Sequence, residues 1–186
     1  MSRGPRRNGP GKESSTCSRS GCGSSLSFVE TAKLASASPE SSGEMKIRLL
    51  MVGKTRRPEM NQALADYVKR IGRACPVEVA EVRDGEAAIK RLEADRPPTA
   101  VLLDAGGKTF DSGAFAKWLG EQRDLGTREI VFVCGDADGF PDKLRERVKQ
   151  KISLSAMTYS HELARVMLAE QIYRAFAILS GSPYPR

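Results

Sequence analysis

The sequence predicts an α/β fold, a mostly parallel sheet with helices on both faces. Three observations predict it. Short apolar runs alternate with longer amphipathic ones from Met45 onward. The short runs are nearly continuous in Val, Ile and Leu, as strands covered on both faces are. The longer runs begin and end at helix signals, namely Asp or Ser caps, Pro at the start, and Gly or Pro at the finish.

Met45 to Val52 (MKIRLLMV) reads as a buried first strand closed by Gly53. Pro58 suits the first position of a helix carrying Met60, Leu64, Tyr67, Val68 and Ile71 at three- and four-residue spacing. Val77 to Val82 reads as a second strand, and a short helix is expected over Gly85 to Ala94, broken by Pro97-Pro98. Ala100 to Asp104 reads as a central strand, and Asp111 as the cap of a helix through Phe115, Trp118 and Leu119. Ile130 to Cys134 is the clearest buried strand; a glycine-bearing turn follows, then a helix starting at Pro141 and running through Leu144 and Val148. After Ile152-Ser153-Leu154 comes one long helix, about Ser160 to Leu179, stopped by Gly181 and Pro183.

Residues 1–44 differ in kind. They hold twelve Ser and six Gly, which predicts a disordered N-terminal extension preceding a domain over 45–186, with Met45 as an alternative start. A transit peptide and an RNA-binding arm are the two functional readings of this stretch. Its four Glu weigh against the first, and its small net charge of +2 against the second.

The chain's formal charge is +7; the extension has six Lys and Arg against four Glu, so 24 against 19 remain in the domain. A basic excess inside the folded part fits a polyanionic partner. No run approaches the ~20 apolar residues of a membrane span, and no secretory apolar segment opens the chain, so a cytoplasmic location is expected. Cysteines at 17, 22, 75 and 134 match neither a disulfide framework nor metal-ligand spacing, which predicts free thiols and no metal.

Two segments can carry chemistry. Gly135-Asp136-Ala137-Asp138-Gly139-Phe140 lies between the best strand and a helix, at the strand end where open α/β sheets bind ligands. It lacks both the dinucleotide glycine pattern and the Lys-Ser/Thr of a phosphate loop, so nicotinamide and ATP chemistry are disfavoured. An ordinary tight turn is the competing reading. Leu154-Ser155-Ala156-Met157-Thr158-Tyr159-Ser160-His161-Glu162 is small and hydroxyl-bearing, able to wrap an adenine with its backbone while Leu and Met pack on the ring. Here the competing reading is capping of the last helix by Ser160 or Thr158. His161 is the chain's single histidine. Glu170 and Arg174, four apart, also fit a simple helix-surface ion pair. No serine elbow or H-E-x-x-H motif supports a hydrolase.

Taken in order, these residues resemble the ribosomal RNA large subunit methyltransferase H family of trefoil-knot methyltransferases. The likeness rests on Met45-Lys46-Ile47 with Val52-Gly53-Lys54, Leu102-Leu103-Asp104 with Gly107-Lys108, Asp111-Ser112 with Phe115-Ala116, and Phe132 to Gly139. Met157 to Arg165 (MTYSHELAR), Ala169 to Ala175 (AEQIYRA) and Gly181-Ser182-Pro183-Tyr184 complete it. It spans 45–186 and excludes the extension.

The resemblance implies a C-terminal trefoil knot that forms an S-adenosylmethionine pocket, and a homodimer in which one subunit holds the donor and the other completes the RNA site. The implied activity is methylation of N3 of a pseudouridine in the helix 69 loop of 23S ribosomal RNA, on the large subunit or whole ribosome. Leu103, Gly135, Leu154, Ser155, Ala156, Met157, Thr158 and Tyr159 would hold the donor. His161, Glu170, Arg174 and Tyr184 would surround the acceptor, with Arg165, Arg174 and Arg186 on RNA. The sequence departs from the family at Asp136, where a second glycine is usual, and at Pro185, where Pro-Tyr-His is usual. These departures keep two rivals in view: a non-catalytic ribosome-associated module of the same fold, and a methyltransferase for another RNA position.

Overall fold

In a computed structural model the chain is described over residues 45–93 and 97–184. Strands and helices alternate throughout: β1 Lys46–Val52, α1 Pro58–Ile71, β2 Val77–Val82, α2 Gly85–Leu92, β3 Thr99–Thr109, α3 Ser112–Asp124, β4 Glu129–Cys134, α4 Asp142–Arg147, β5 Gln150–Ser153 and α5 His161–Leu179. The five strands form one sheet in the order β2-β1-β4-β3-β5. Every pairing is parallel, with Leu49 beside Phe132 and Val101 beside Phe132 fixing the register at the centre.

Both faces of the sheet are covered, as the apolar runs require. Ile47, Leu49 and Met51 of β1 turn one way, onto Leu64 and Ile71 of α1, Phe115 and Leu119 of α3, and Leu168, Ile172 and Phe176 of α5. Leu50 and Val52 turn the other way, onto Ala88 and Leu92 of α2 and Leu144 of α4. Three helices therefore lie on one face and two on the other. Because α3 leaves the end of β3 for one face and α4 leaves the end of β4 for the other, a crevice opens above the carboxyl ends of these neighbouring strands.

Local chemistry sets the helix starts. Pro58 stands at the first turn of α1. Asp84, Asp111 and Ser160 accept hydrogen bonds from the N–H groups of Ala87, Ala114 and Leu163, at 2.9, 2.7 and 3.4 Å, so Ser160 and not Thr158 caps α5. Pro141 sits one place earlier than expected, at the cap of α4, which ends at Arg147 and leaves Val148 outside. Helix α2 closes at Leu92, and Ala94 lies outside the described residues.

One strand is longer than its apolar run. β3 continues past Asp104 through Gly106-Gly107 to Thr109, with a bulge between Leu103 and Lys108 opposite Ile152. A side chain at Gly107 would meet the Ile152 backbone at 2.6 Å. Gly107, beyond the run read as a strand in the sequence, is what admits β5 so close. The extension expected over 1–44 lies outside the described residues.

Candidate functional site

The crevice above β3, β4 and β5 is a cleft of about 480 Å³. Leu103, Asp104 and Ala105 line it from β3, Cys134, Gly135, Asp136, Ala137, Gly139 and Phe140 from the end of β4, and Ser153, Leu154, Ser155, Met157, Thr158 and Tyr159 from the end of β5. Ser160, His161 and Ala164 of the α5 entry and Arg145 of α4 close it. Seven of the eight residues expected to hold a donor therefore share one wall; Ala156 is exposed and lies outside the lining.

The two loops are shaped by their own hydrogen bonds. After β4 the chain turns through Asp136 to Gly139, where the Gly139 N–H donates to the Asp136 carbonyl at 3.0 Å and Gly139 takes φ 78°. Only a residue without Cβ adopts that backbone freely. After β5 the Ser153 hydroxyl donates to the Ser155 carbonyl at 2.8 Å, and the Met157 N–H donates to the Ser155 hydroxyl at 3.0 Å. Downstream, the backbone N–H and C=O groups of Thr158 and Tyr159 take no partner among the described residues. Unpaired backbone polar groups on a concave wall are what a heteroaromatic base needs for edge recognition. Met157, 71% exposed, is an unusually bare apolar side chain beside them.

Charge in the cleft is acidic on balance. Asp136 stands 4.0 Å from Nε2 of His161. Asp104 forms an ion pair with Arg145 at 3.2 Å and accepts the Gly106 N–H at 2.9 Å. Cys134 contributes no thiolate, since burial pushes its thiol up to about 12 against the lowering effect of the neighbouring Arg165 cation. Cys134 and Cys75 are both buried, and the Cys75 thiol donates to the Met45 carbonyl at 2.8 Å. No group of three or more potential metal ligands occurs among the described residues.

Arg165 corrects an expectation. Placed on RNA by the family resemblance, it is instead fully buried. Its Nη1 donates to the Thr55 hydroxyl at 2.9 Å and its Nη2 to the Val52 and Gly135 carbonyls. A side chain engaged with three oxygens beneath the cleft cannot reach a phosphate. The signal was in the sequence: Arg165, Leu168, Ala169, Ile172 and Phe176 repeat at three- and four-residue spacing, so the arginine sits on the buried stripe of α5.

The residues that the resemblance places around an acceptor also separate. His161 belongs to the cleft, whereas Glu170, Arg174 and Tyr184 gather toward the other end of α5. Thirteen residues at about 1.5 Å per residue put Arg174 roughly 20 Å along the helix from His161. There, Nε and Nη2 of Arg174 donate to one Glu170 oxygen at 2.9 and 2.6 Å, and Gln171 donates to the other at 2.6 Å. The Arg174 guanidinium lies 4.7 Å from the Tyr184 ring, which meets Tyr173 edge-on at 4.8 Å. Burial and a hydrogen bond that its hydroxyl donates to Tyr67 push Tyr184 up to about 12, so it stays protonated. Arg174, Ile178, Ser182, Pro183, Tyr184 and Ser112 line a second recess. Arg186 lies outside the described residues.

Comparison with known proteins settles the family. The family model described as "Predicted SPOUT methyltransferase" matches residues 45–185. The chain belongs to the SPOUT methyltransferase family. This SPOUT methyltransferase is 46% identical over 151 residues to the Ribosomal RNA large subunit methyltransferase H of Pelobacter propionicus, covering 75% of the chain and 99% of that relative. It is 43% identical over 145 residues to the protein of the same name from Solibacter usitatus, covering 76% and 100%. In structure it is similar to the tRNA (m1G37) methyltransferase from Aquifex aeolicus, with a TM-score of 0.51 at 16% identity over 77% of the chain and 75% of that protein, a likeness of fold. No helix among the described residues is long and apolar enough to cross a membrane.

Proposed function

We propose that this SPOUT methyltransferase transfers a methyl group from S-adenosylmethionine to N3 of a pseudouridine in 23S ribosomal RNA, in the cytoplasm, on the large subunit or the ribosome. The observation that carries the reading is the convergence of Leu103, Gly135 and the Leu154–Tyr159 backbone on one cleft at the strand ends. Relatives named for ribosomal RNA methylation, at 46% and 43% identity over nearly their whole length, support the substrate class.

The cleft fits such a donor on three counts. Its volume of about 480 Å³ falls in the range of nucleoside-sized sites. The unpaired groups of Thr158 and Tyr159 can meet an adenine edge, and Leu103, Leu154 and Met157 can cover its faces. Asp104 and Asp136 against Arg145 leave an acidic balance that suits a sulfonium cation. When bound, the donor supplies an electrophilic methyl; the chain's own residues do the rest by placement, which alone can account for large rate gains. His161, beside Asp136 on the cleft wall, stands where an incoming base would lie and is assigned to receive or relay the N3 proton.

The Glu170-Arg174-Tyr184 cluster is read as an RNA-facing element, its guanidinium suited to phosphate. Because it stands far along α5 from His161, the reading includes a homodimer, in which the cluster of one subunit serves the cleft of its partner. A trefoil knot formed by the C-terminal part, with Arg165 threading α5 against the ends of β1 and β4, belongs to the same proposal.

The test is methylation of large subunits and whole ribosomes from a strain lacking the gene, with radiolabelled S-adenosylmethionine and mass mapping of the RNA. The expected product is N3-methylpseudouridine in the helix 69 loop. Label at another nucleotide would reassign the target; donor binding without label on any RNA would identify a non-catalytic module.

A further inference from the structure

One cleft residue is not accounted for by adenosine recognition. Arg145 lines the cleft from α4 with its side chain 43% exposed. Its Nη1 lies 3.2 Å from Asp104, and its Nε donates to the Phe140 carbonyl at 3.2 Å. Asp104 is only 12% exposed, and its other oxygen accepts the Gly106 N–H. The guanidinium is thus held at two nitrogens, by the Asp104 carboxylate within β3 and by the Phe140 carbonyl in the loop after β4. The third, Nη2, takes no hydrogen bond among the described residues. A cation held this way is pre-organised, and a carboxylate meeting it pays little ordering entropy.

We propose that Arg145 binds the α-carboxylate of the methyl donor through Nη2, with Asp104 as its positioning residue. The inference rests on the reading of the cleft as the donor site. Charge selects this anion over a phosphate. Asp104 and Asp136 face the same cleft as Arg145, so a phosphate carrying one to two negative charges would meet a net acidic wall. The amino-acid end of the donor brings its own ammonium and sulfonium, and its carboxylate is the one group that an acidic cleft would repel. A single guanidinium at that point matches the donor and no more. The adenosine end, held by the Thr158 and Tyr159 backbone, does not depend on it.

Two ligands separate the ends. S-adenosylhomocysteine carries the amino-acid group; 5′-methylthioadenosine lacks it. Calorimetric titration of the full chain should show tighter binding of the first. Arg145→Ala should weaken S-adenosylhomocysteine roughly ten- to a hundredfold, the worth of a charge-assisted hydrogen bond, and leave methylthioadenosine within about twofold. Arg145→Lys should fall between. The double variant Asp104→Asn with Arg145→Ala should keep the loss; recovery there would mean that a bared Asp104 repels the ligand and that Arg145 grips nothing. Equal losses for both ligands would show that Arg145 only shapes the turn, through Phe140, and would overturn the proposal. If the wild type binds the two ligands equally, the proposal also fails while the donor cleft stands. If it binds neither, the cleft reading fails with it.

Discussion

Arg165 of α5 donates to the Thr55 hydroxyl across 110 positions of sequence, and the same guanidinium reaches the carbonyls of Val52 and Gly135. One side chain thereby fixes the ends of β1 and β4 relative to the last helix, directly beneath the cleft. Gly135 is in contact with the cleft on one side and with Arg165 on the other, so the stability of the domain and the shape of the site share a residue.

Arg165→Met keeps the bulk and removes the donors, leaving two buried oxygens and the part-buried Gly135 carbonyl without their partner. A loss of about 2–4 kcal/mol is expected, since each charge-assisted hydrogen bond contributes roughly 1.5–3 kcal/mol and part of the loss is offset by packing. Urea unfolding measures it, and donor affinity should fall in the same variant. A cost under about 1 kcal/mol would mean that the network matters little.

Much of this architecture is legible in the sequence, and the exceptions have physical causes. The strands of β1 and β4 are apolar throughout because both faces are buried, and Pro58, Asp111 and Ser160 announce their helices through chemistry that acts within one turn. The cleft was legible for a similar reason, because Gly135 and Leu154 to Tyr159 are irregular segments at strand ends. What resists is long-range. The partners of Arg165 stand 30 to 113 positions away, and those of Arg145 include an aspartate 41 positions back, so no local pattern relates them. Arg165 still left a trace in the periodicity of α5. The reach of β3 to Thr109 left none, because Gly106-Gly107 looks like a break until β5 is seen against it.

Gly135 gives the next prediction. A Cβ there would meet the Gly139 carbonyl oxygen and the Phe140 ring, each at 3.3 Å, so a small group can be absorbed and a branched one cannot. Gly135→Ala should cost donor affinity about threefold or less, and Gly135→Val about tenfold or more, by prising the turn open. Isothermal titration with S-adenosylmethionine reads both. Equal affinities for Ala and Val would place the donor away from this turn.

Glu162 provides a pH signature. The Arg56 N–H donates to its carboxylate at 2.5 Å and, with a further hydrogen bond from the Arg57 backbone, holds it below the usual 4.5. A carboxyl depressed in the folded state stabilises at all pH above its unfolded value, and that contribution drains away as pH falls through the folded value. Glu162→Gln cannot titrate. Its stability deficit against the wild type should therefore be full at pH 7 and shrink below about pH 4.5. Urea midpoints at several pH values test this; a deficit that does not change with pH would mean that the ionised form has no special role.

Asp136 bears on discrimination between donor and product. The donor's sulfur is cationic and the product's is neutral, and Asp136 adds a carboxylate to the cleft wall 4.0 Å from His161. Because the side chain is half exposed, screening limits its effect to a few fold. Asp136→Asn should weaken S-adenosylmethionine about three- to fivefold and leave S-adenosylhomocysteine within about twofold. Parallel losses for both would put the carboxylate out of reach of the sulfur.

Arg174 should separate RNA from donor. Its bonds to Glu170 and its place over Tyr184 build the far cluster of α5, about 20 Å along the helix from His161, so its removal leaves the cleft of the same subunit untouched. Arg174→Ala leaves one Glu170 oxygen without its guanidinium and releases Tyr184, whose cation–π contact contributes about 0.5–1 kcal/mol at such a partly exposed site. Neither change reaches Thr158, Tyr159 or Gly135. Donor affinity by calorimetry should stay within about twofold, while methylation of ribosomal RNA at saturating donor falls at least about tenfold, as expected when a guanidinium–phosphate contact is lost. Mixing Arg174→Ala subunits with subunits carrying Gly135→Val sharpens the result. If the cluster of one subunit serves the cleft of its partner, a mixed dimer keeps one intact cleft, but the cluster facing it comes from the Gly135→Val subunit and is also intact, so activity returns. If each subunit works alone, both halves of the mixed dimer are impaired and no activity is recovered.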